Sequence, residues 1–118
     1  MVDIKAEISP LRIVFGKDKS VELMLRITNN SEKTRLISCD LVLGDNLAFD
    51  KSGRQNAIVK RFGELKPNEQ KMLYLDVFPR MSANKGIEPI IISAMEHFNN
   101  DYDYVLSKKT KELSLRIE

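Results

Sequence analysis

The sequence predicts an all-β sandwich of seven to eight antiparallel strands, and three features of the pattern support this fold class. Apolar and polar residues alternate at every second position, most clearly over residues 21–28. Turn-forming residues separate these alternating segments at intervals of roughly 8–15 residues. No segment shows a sustained period of 3.6 residues, which would indicate an amphipathic helix.

The first strand is expected at residues 2–8 and closes at Ser9-Pro10. Because proline donates no backbone hydrogen bond, we expect the strand to break there and switch sheets, with alternation resuming at residues 11–16. The unbroken apolar run in residues 87–98 is typical of a central strand. Residues 47–55 are expected to form a loop with room for a short edge strand. The other strands are expected at residues 21–28, 34–43, 57–65, 72–78 and 104–117.

Length and composition indicate one domain spanning residues 1–118. The net charge is +2, from 19 basic and 17 acidic residues, which gives no general expectation of nucleic-acid or membrane binding. Cys39 is the only cysteine, so no intrachain disulfide can form and a reducing compartment is favoured. We find neither a signal peptide nor an apolar run of ~18 residues, which predicts a cytoplasmic chain without membrane insertion. The alternative is an excised domain of a surface protein.

Two turn motifs carry a family resemblance. One strand runs into Asn29-Asn30-Ser31, and Gly63-Glu64-Leu65-Lys66-Pro67-Asn68-Glu69 precedes another strand. With Gly86 before the long apolar strand, this arrangement resembles the CARDB-like and related immunoglobulin-like domains of archaea and bacteria, over residues 21–117. Those domains usually have glycine where this chain has Asn68, and asparagine also tolerates a positive φ. The resemblance implies a seven- to eight-stranded immunoglobulin-like antiparallel β-sandwich with an accessory interaction role, and it transfers no catalytic residues.

Few residues have the chemistry of a reactive site. His97 is the only histidine, and its neighbour Glu96 is expected on the opposite face of a strand, so the sequence predicts either a surface histidine or one with its hydrogen bonds satisfied. Cys39 shares an apolar face with Ile37 and Leu41, which indicates a buried, unreactive thiol. We therefore predict no enzyme activity, no cofactor and no metal. An enzyme using scattered carboxylates such as Asp40, Glu64 or Asp76 finds no support in their spacing.

Two alternatives concern ligands of the last hairpin. Asp101 and Asp103, with Asn99 and Asn100, form the densest group of oxygen ligands, which favours either calcium or an ordinary turn. Lysines near Tyr102 and Tyr104 suggest a nucleic-acid surface, although lysines on an edge strand also prevent aggregation. The lysines concerned are Lys108, Lys109 and Lys111.

The leading prediction is a non-catalytic module that binds another protein through its end loops or an open sheet edge. The end loops in question are residues 45–54 and 80–86. The predicted contact residues are Phe49, Arg54, Arg80 and Met81. A homodimer formed by edge pairing of the first or last strand is a further expectation, and nucleic-acid binding near Tyr102 and Tyr104 is the runner-up.

Overall fold

The computed structural model describes residues 2–14, 20–80, 83–98 and 100–118. Within those ranges the chain forms nine strands. In chain order they are β1 (Val2–Ser9), β2 (Arg12–Ile13), β3 (Val21–Asn29), β4 (Arg35–Leu43), β5 (Leu47–Ala48), β6 (Ala57–Leu65), β7 (Gln70–Pro79), β8 (Gly86–His97) and β9 (Val105–Ile117). The described part of the chain contains no helix long and apolar enough to cross a membrane.

The strands form two sheets, as a β-sandwich requires. One has four strands in the order β1-β3-β7-β5, and the other has five in the order β2-β9-β8-β4-β6. The predicted count of seven to eight strands is too low. Both β2 and β5 lie where the sequence left room for short strands, but each is only two residues long. The prediction of purely antiparallel pairing is also wrong, since β2 runs parallel to β9.

The break predicted at Ser9-Pro10 is confirmed. Strand β1 pairs with β3 in the four-stranded sheet, and β2 pairs with β9 in the five-stranded sheet. The chain therefore crosses from one sheet to the other within residues 9–12. The strand predicted to be central, at residues 87–98, is β8. Its central position is confirmed, because β8 lies between β9 and β4.

Aliphatic side chains from the two inner faces form the core. In β3, the alternation predicted from the sequence gives one buried face, and β4 presents Ile37, Cys39, Leu41 and Leu43 to the same core. The opposite face of β4 is more polar and carries Ser38 and Asp40. Burial of a branched aliphatic side chain contributes about 1.5–3 kcal/mol, so this aliphatic core is the main source of stability.

Loops gather at the two ends of the sandwich. One end, here called the Asn29 end, carries the loops at residues 30–34, 66–69 and 98–104. The opposite end, the Arg80 end, carries the β4–β5, β5–β6 and β7–β8 loops. The predicted contact residues Phe49, Arg54 and Arg80 belong to the Arg80 end, whereas the tyrosines of the nucleic-acid alternative belong to the Asn29 end.

Candidate protein-binding surface

The β8–β9 hairpin carries four exposed apolar side chains close together in the sequence at the Asn29 end. Phe98, Tyr104, Val105 and Leu106 are 41%, 59%, 47% and 44% exposed, and we call these four residues the apolar tip. The rings of Phe98 and Tyr104 contact each other with their centroids 5.4 Å apart. Clusters of exposed apolar residues on a folded domain commonly mark interaction sites.

Backbone hydrogen bonds fix the turn that carries the apolar tip. The amide of Phe98 donates to the carbonyl of Tyr104 at 3.0 Å, and the amide of Tyr104 donates to the carbonyl of Asp101 at 3.0 Å. The carboxylate of Asp101 accepts from the amide of Asp103 at 2.9 Å, which is an Asx turn. Asn100 has a φ of 54°, a conformation that asparagine adopts readily.

Tyr102 anchors the same turn to the outer face of the five-stranded sheet. Its ring meets the ring of His97 edge-on, with centroids 5.0 Å apart. Its hydroxyl accepts a hydrogen bond from the amide of Gly63 at 3.0 Å, and the guanidinium of Arg61 lies 4.6 Å from its ring centroid. These contacts join the hairpin to β6 and β8 and hold the apolar tip in place.

A buried polar pair lies beside Tyr102. The Ser38 hydroxyl and the His97 Nε2 atom are 2.7 Å apart, and each residue is only 3% exposed. A serine beside a histidine is the arrangement that activates a nucleophile in hydrolases. Here the hydroxyl is buried, and the pair links β4 to β8. Of the two interpretations left open for His97, the structure supports a hydrogen-bonded residue and not a surface one.

The fold places one of the three scattered carboxylates in a different sheet from the other two. Asp40 lies on β4 and Glu64 on β6 of the five-stranded sheet, whereas Asp76 lies on β7 of the four-stranded sheet. Asp76 is therefore not brought together with the other two.

The Asp101 side chain forms a hydrogen bond within its own turn. This bond to the Asp103 amide supports the interpretation of residues 100–103 as an ordinary turn. Calcium binding stays a prediction. Asn99 lies outside the described residues. For the nucleic-acid alternative, the ring of Tyr102 already contacts His97 and Arg61, and Tyr104 is the exposed tyrosine of the pair.

Arg80, a predicted contact residue, forms hydrogen bonds within its own end of the sandwich. The Arg80 guanidinium donates to the carbonyl of Asp45 at 2.9 Å, and its backbone amide donates to the carbonyl of Asn46 at 2.9 Å. Arg80 therefore ties the β7–β8 loop to the β4–β5 turn. Its neighbour Met81 lies outside the described residues.

Phe49 and Arg54 belong to one loop at the same end. Phe49 is half-buried and packs against the core, while Arg54 is exposed. The Asp50 carboxylate accepts from the amides of Arg54 and Gln55 at 3.1 Å and 2.9 Å. A hydrogen bond from Ser52, followed by these amides, lowers the pKa of Asp50 below its usual value. The loop thus has a defined shape, and contact roles for these residues stay predictions.

Cys39 is fully buried in the core, as the sequence predicted. Desolvation is the main reason that its pKa is raised to about 12, and the nearby Asp40 adds to this effect. The thiolate is the reactive form of cysteine, so this residue has none of the environment of a reactive thiol.

Sequence reasoning missed most of the apolar tip. It singled out Tyr104 for its nearness to lysines, but not Phe98, Val105 or Leu106. The available signal was the presence of large apolar residues immediately flanking an Asn- and Asp-rich turn. Alternation alone could not identify them, because apolar residues at a strand end can face either the core or solvent.

Comparison with known proteins gives likenesses at the level of structure. No protein-family model matches the sequence, and no curated protein matches it. A crystal structure of Escherichia coli alpha-2-macroglobulin from domain MG7 to the C-terminus matches with a TM-score of 0.68 at 19% identity, covering 99% of this chain and 17% of that one. A cryo-EM reconstruction of the native conformation of E. coli alpha-2-macroglobulin matches with a TM-score of 0.65 at 19% identity, covering 98% of this chain and 6% of that one.

A third likeness spans both chains almost completely. A FixG-related protein from Vibrio parahaemolyticus matches with a TM-score of 0.62 at 10% identity, covering 99% of this chain and 96% of that one. This chain is thus similar to a small part of alpha-2-macroglobulin and to nearly all of the FixG-related protein. At these identities the likenesses show the fold alone, and the CARDB resemblance stays a prediction.

Proposed function

We propose that this chain is an immunoglobulin-like, non-catalytic accessory domain that binds another protein through the apolar tip. The observation that carries the proposal is the exposed aromatic pair of Phe98 and Tyr104 on a turn that Tyr102 anchors. A surface whose conformation is already fixed loses little conformational entropy on binding. Aromatic residues also contribute a large share of binding energy at protein interfaces.

The fold comparisons support the accessory role indirectly. The chain is similar to one small portion of a much longer protein, alpha-2-macroglobulin, in which the matching region is one part among many. It is also similar to a FixG-related protein of nearly its own length. A sandwich of this kind can thus form part of a larger protein or a separate chain.

Site-specific photocrosslinking tests the proposal. Tyr104 would be replaced by p-benzoylphenylalanine, and Tyr74, on the outer face of the four-stranded sheet, would be replaced in a matched variant. Tyr104 is 59% exposed and Tyr74 is 58% exposed, so the two probes are equally accessible. After irradiation in host lysate, we expect a discrete protein adduct from position 104 and no such adduct from position 74.

Other outcomes would decide against the proposal. An adduct with a second copy of the chain would establish a homodimer instead, and a nuclease-sensitive adduct would favour the nucleic-acid alternative. A third probe at Arg54 monitors the Arg80 end, where the sequence predicted the contacts. Crosslinking from Arg54 alone would move the binding surface to that end and reject the apolar tip.

A further inference from the structure

Strand β9 leaves most of its outer edge unpaired. It pairs with β8 along its whole length, but β2 covers only Arg116 and Ile117 on the other side. Among the described residues, no strand pairs with the outer edge of residues 105–115. Such an edge presents a row of backbone donors and acceptors that another strand can satisfy.

The free groups on this edge can be assigned. The amide of Glu118 donates to the carbonyl of Ile13 at 2.8 Å, so its backbone groups point away from β8. Backbone groups of successive strand residues point to alternate edges, and the one irregularity of the β8–β9 pairing lies near Glu96, beyond residue 107. The even-numbered residues of the strand therefore point their amides and carbonyls to the open edge. They are Lys108, Thr110, Glu112 and Ser114.

A groove follows the same edge, between β9 and β1 of the facing sheet. Near the Arg80 end it has a cavity of about 330 Å³ lined by residues that include Ile8, Leu11 and Leu113. Near the Asn29 end it has a cavity of about 240 Å³ lined by Val2 and residues 107–109. Leu11 is 78% exposed beside this groove, which leaves apolar surface for an added strand to cover.

The charge of the edge is positive near the Asn29 end. Lys108, Lys109 and Lys111 share this stretch of strand with only one acidic residue, Glu112. Asp3 on β1 accepts a hydrogen bond from the Lys109 ammonium at 3.1 Å, and this bond is the main reason that the pKa of Asp3 is lowered. One of these lysines, Lys109, thus already binds a carboxylate across the groove.

The same lysines disfavour pairing of β9 with β9 of a second copy. A symmetric antiparallel pair centred on Thr110 would place Lys109 opposite Lys111, and one centred on Lys111 would place that lysine opposite itself. Like charges directly opposite each other destabilise a strand pair. A segment that carries carboxylates would gain from the same arrangement.

We propose that the open edge of β9 binds an extended, acidic segment of a partner protein as an added strand. This inference rests on the proposed function and specifies a second contact, next to the apolar tip, for the same partner. The added strand would pair with the backbone of residues 108–114. Its carboxylates would lie beside Lys109 and Lys111 on one face or beside Lys108 on the other, because successive strand residues point to opposite faces. Strand addition of this kind takes its affinity from main-chain hydrogen bonds and its specificity from side chains.

A peptide titration tests the inference directly. The probe is a capped ten-residue peptide that alternates valine with glutamate, and its control alternates valine with lysine. We expect binding of the glutamate peptide with a Kd below about 1 mM and at least tenfold weaker binding of the lysine peptide. Hydrogen exchange should slow at the amides of Lys108, Thr110, Glu112 and Ser114. Equal binding of both peptides, or protection elsewhere, would overturn the inference.

Two variants separate charge from backbone pairing. The double variant Lys108→Glu and Lys111→Glu should weaken glutamate-peptide binding at least tenfold, whereas Lys33→Glu, an exposed site at the Asn29 end, should leave it unchanged. Thr110→Pro removes an edge-facing amide and should also weaken binding. Thr110→Val is its control, because it keeps the amide and loses only the hydroxyl that lies 3.1 Å from the Ser93 hydroxyl of β8. If Thr110→Pro fails to fold, the charge variants still decide.

Failure of this inference can be told apart from failure of the proposed function. A lost peptide signal with an intact Tyr104 crosslink would reject only the added strand. Loss of both signals would reject protein binding through this side of the domain. Peptide binding without the Tyr104 crosslink would support strand addition at the edge of β9 and reject protein binding through the apolar tip.

Discussion

The side-chain amide of Asn29 donates a hydrogen bond to the backbone carbonyl of Leu65, 2.8 Å away, and so joins the two sheets. Asn29 ends β3 in the four-stranded sheet, and Leu65 ends β6 in the five-stranded sheet. The same amide group donates to the carbonyl of Lys33 at 2.9 Å, and the side-chain oxygen accepts from the amide of Ser31. The turn predicted at Asn29-Asn30-Ser31 is therefore confirmed, and it also fastens the Asn29 end.

Replacing this side chain should destabilise the fold. Asn29 is fully buried, so Asn29→Ala would leave buried backbone carbonyls without a donor. We expect the free energy of unfolding to fall by about 2–4 kcal/mol in urea denaturation, from two lost donors at about 1–2 kcal/mol each. Asn30→Ala, at the exposed neighbouring position, should change it by less than about 0.5 kcal/mol. Equal effects of the two substitutions would contradict the inter-sheet role.

The Tyr102 hydroxyl should contribute to stability through Gly63. Tyr102→Phe keeps the ring on His97 but removes the acceptor for the Gly63 amide, at an expected cost of about 1 kcal/mol. Tyr104→Phe is the matched control, because its hydroxyl has no hydrogen bond among the described residues. Thermal unfolding should show a lower Tm for Tyr102→Phe only. Identical Tm values for the two variants would show that this hydrogen bond does not contribute to stability.

Replacing Gly63 by a residue with a side chain should lower the stability of the fold for a conformational reason. Its φ is 77°, and it lies at the irregularity where β4 pairs with β6. Outside its chain neighbours, no heavy atom of the described residues lies within 4 Å of an added Cβ, so backbone strain alone sets the cost. We expect Gly63→Ala to lower stability by about 1 kcal/mol or more and Gly63→Asn by less. The reverse order in urea midpoints would refute this explanation.

The buried thiol should make stability fall at alkaline pH. The pKa of Cys39 is about 12 in the folded chain and 9.0 for an ordinary thiol. Above pH 9 the unfolded chain loses this proton while the folded chain keeps it, so ionisation favours unfolding as the pH rises towards 12. Between about pH 8 and about pH 10.5, the wild type should lose about 2 kcal/mol more than Cys39→Ala. Parallel pH profiles for the two proteins would contradict a buried, neutral thiol.

The sequence predicted what depends on neighbouring residues along the chain. Alternation identified the inner face of β4, and the proline at position 10 identified the sheet switch. The short edge strand expected within residues 47–55 is β5, but two residues carry no period that could fix its bounds. The sequence could not reveal the Tyr102–Gly63 bond, which joins residues 39 positions apart and depends on how a turn folds over a sheet.

The binding surface was harder to predict for a related reason. Phe49 is a predicted contact residue in an end loop, but its ring packs against the core. Phe98 has a similar sequence context and is exposed. Local polarity is the same at both positions, and only the three-dimensional position of each loop relative to the core distinguishes them.

The sheet switch at residues 9–12 has a mechanical consequence. Strand β1 begins beside Asn29, and β9 finishes beside Gly86, so the first and last strands start and stop at opposite ends of a domain 47 Å long. Tension applied between those two points would run parallel to the strands. It would shear many interstrand hydrogen bonds at once instead of opening them one by one. A sandwich connected in this way can transmit a pulling force along its long axis while remaining folded.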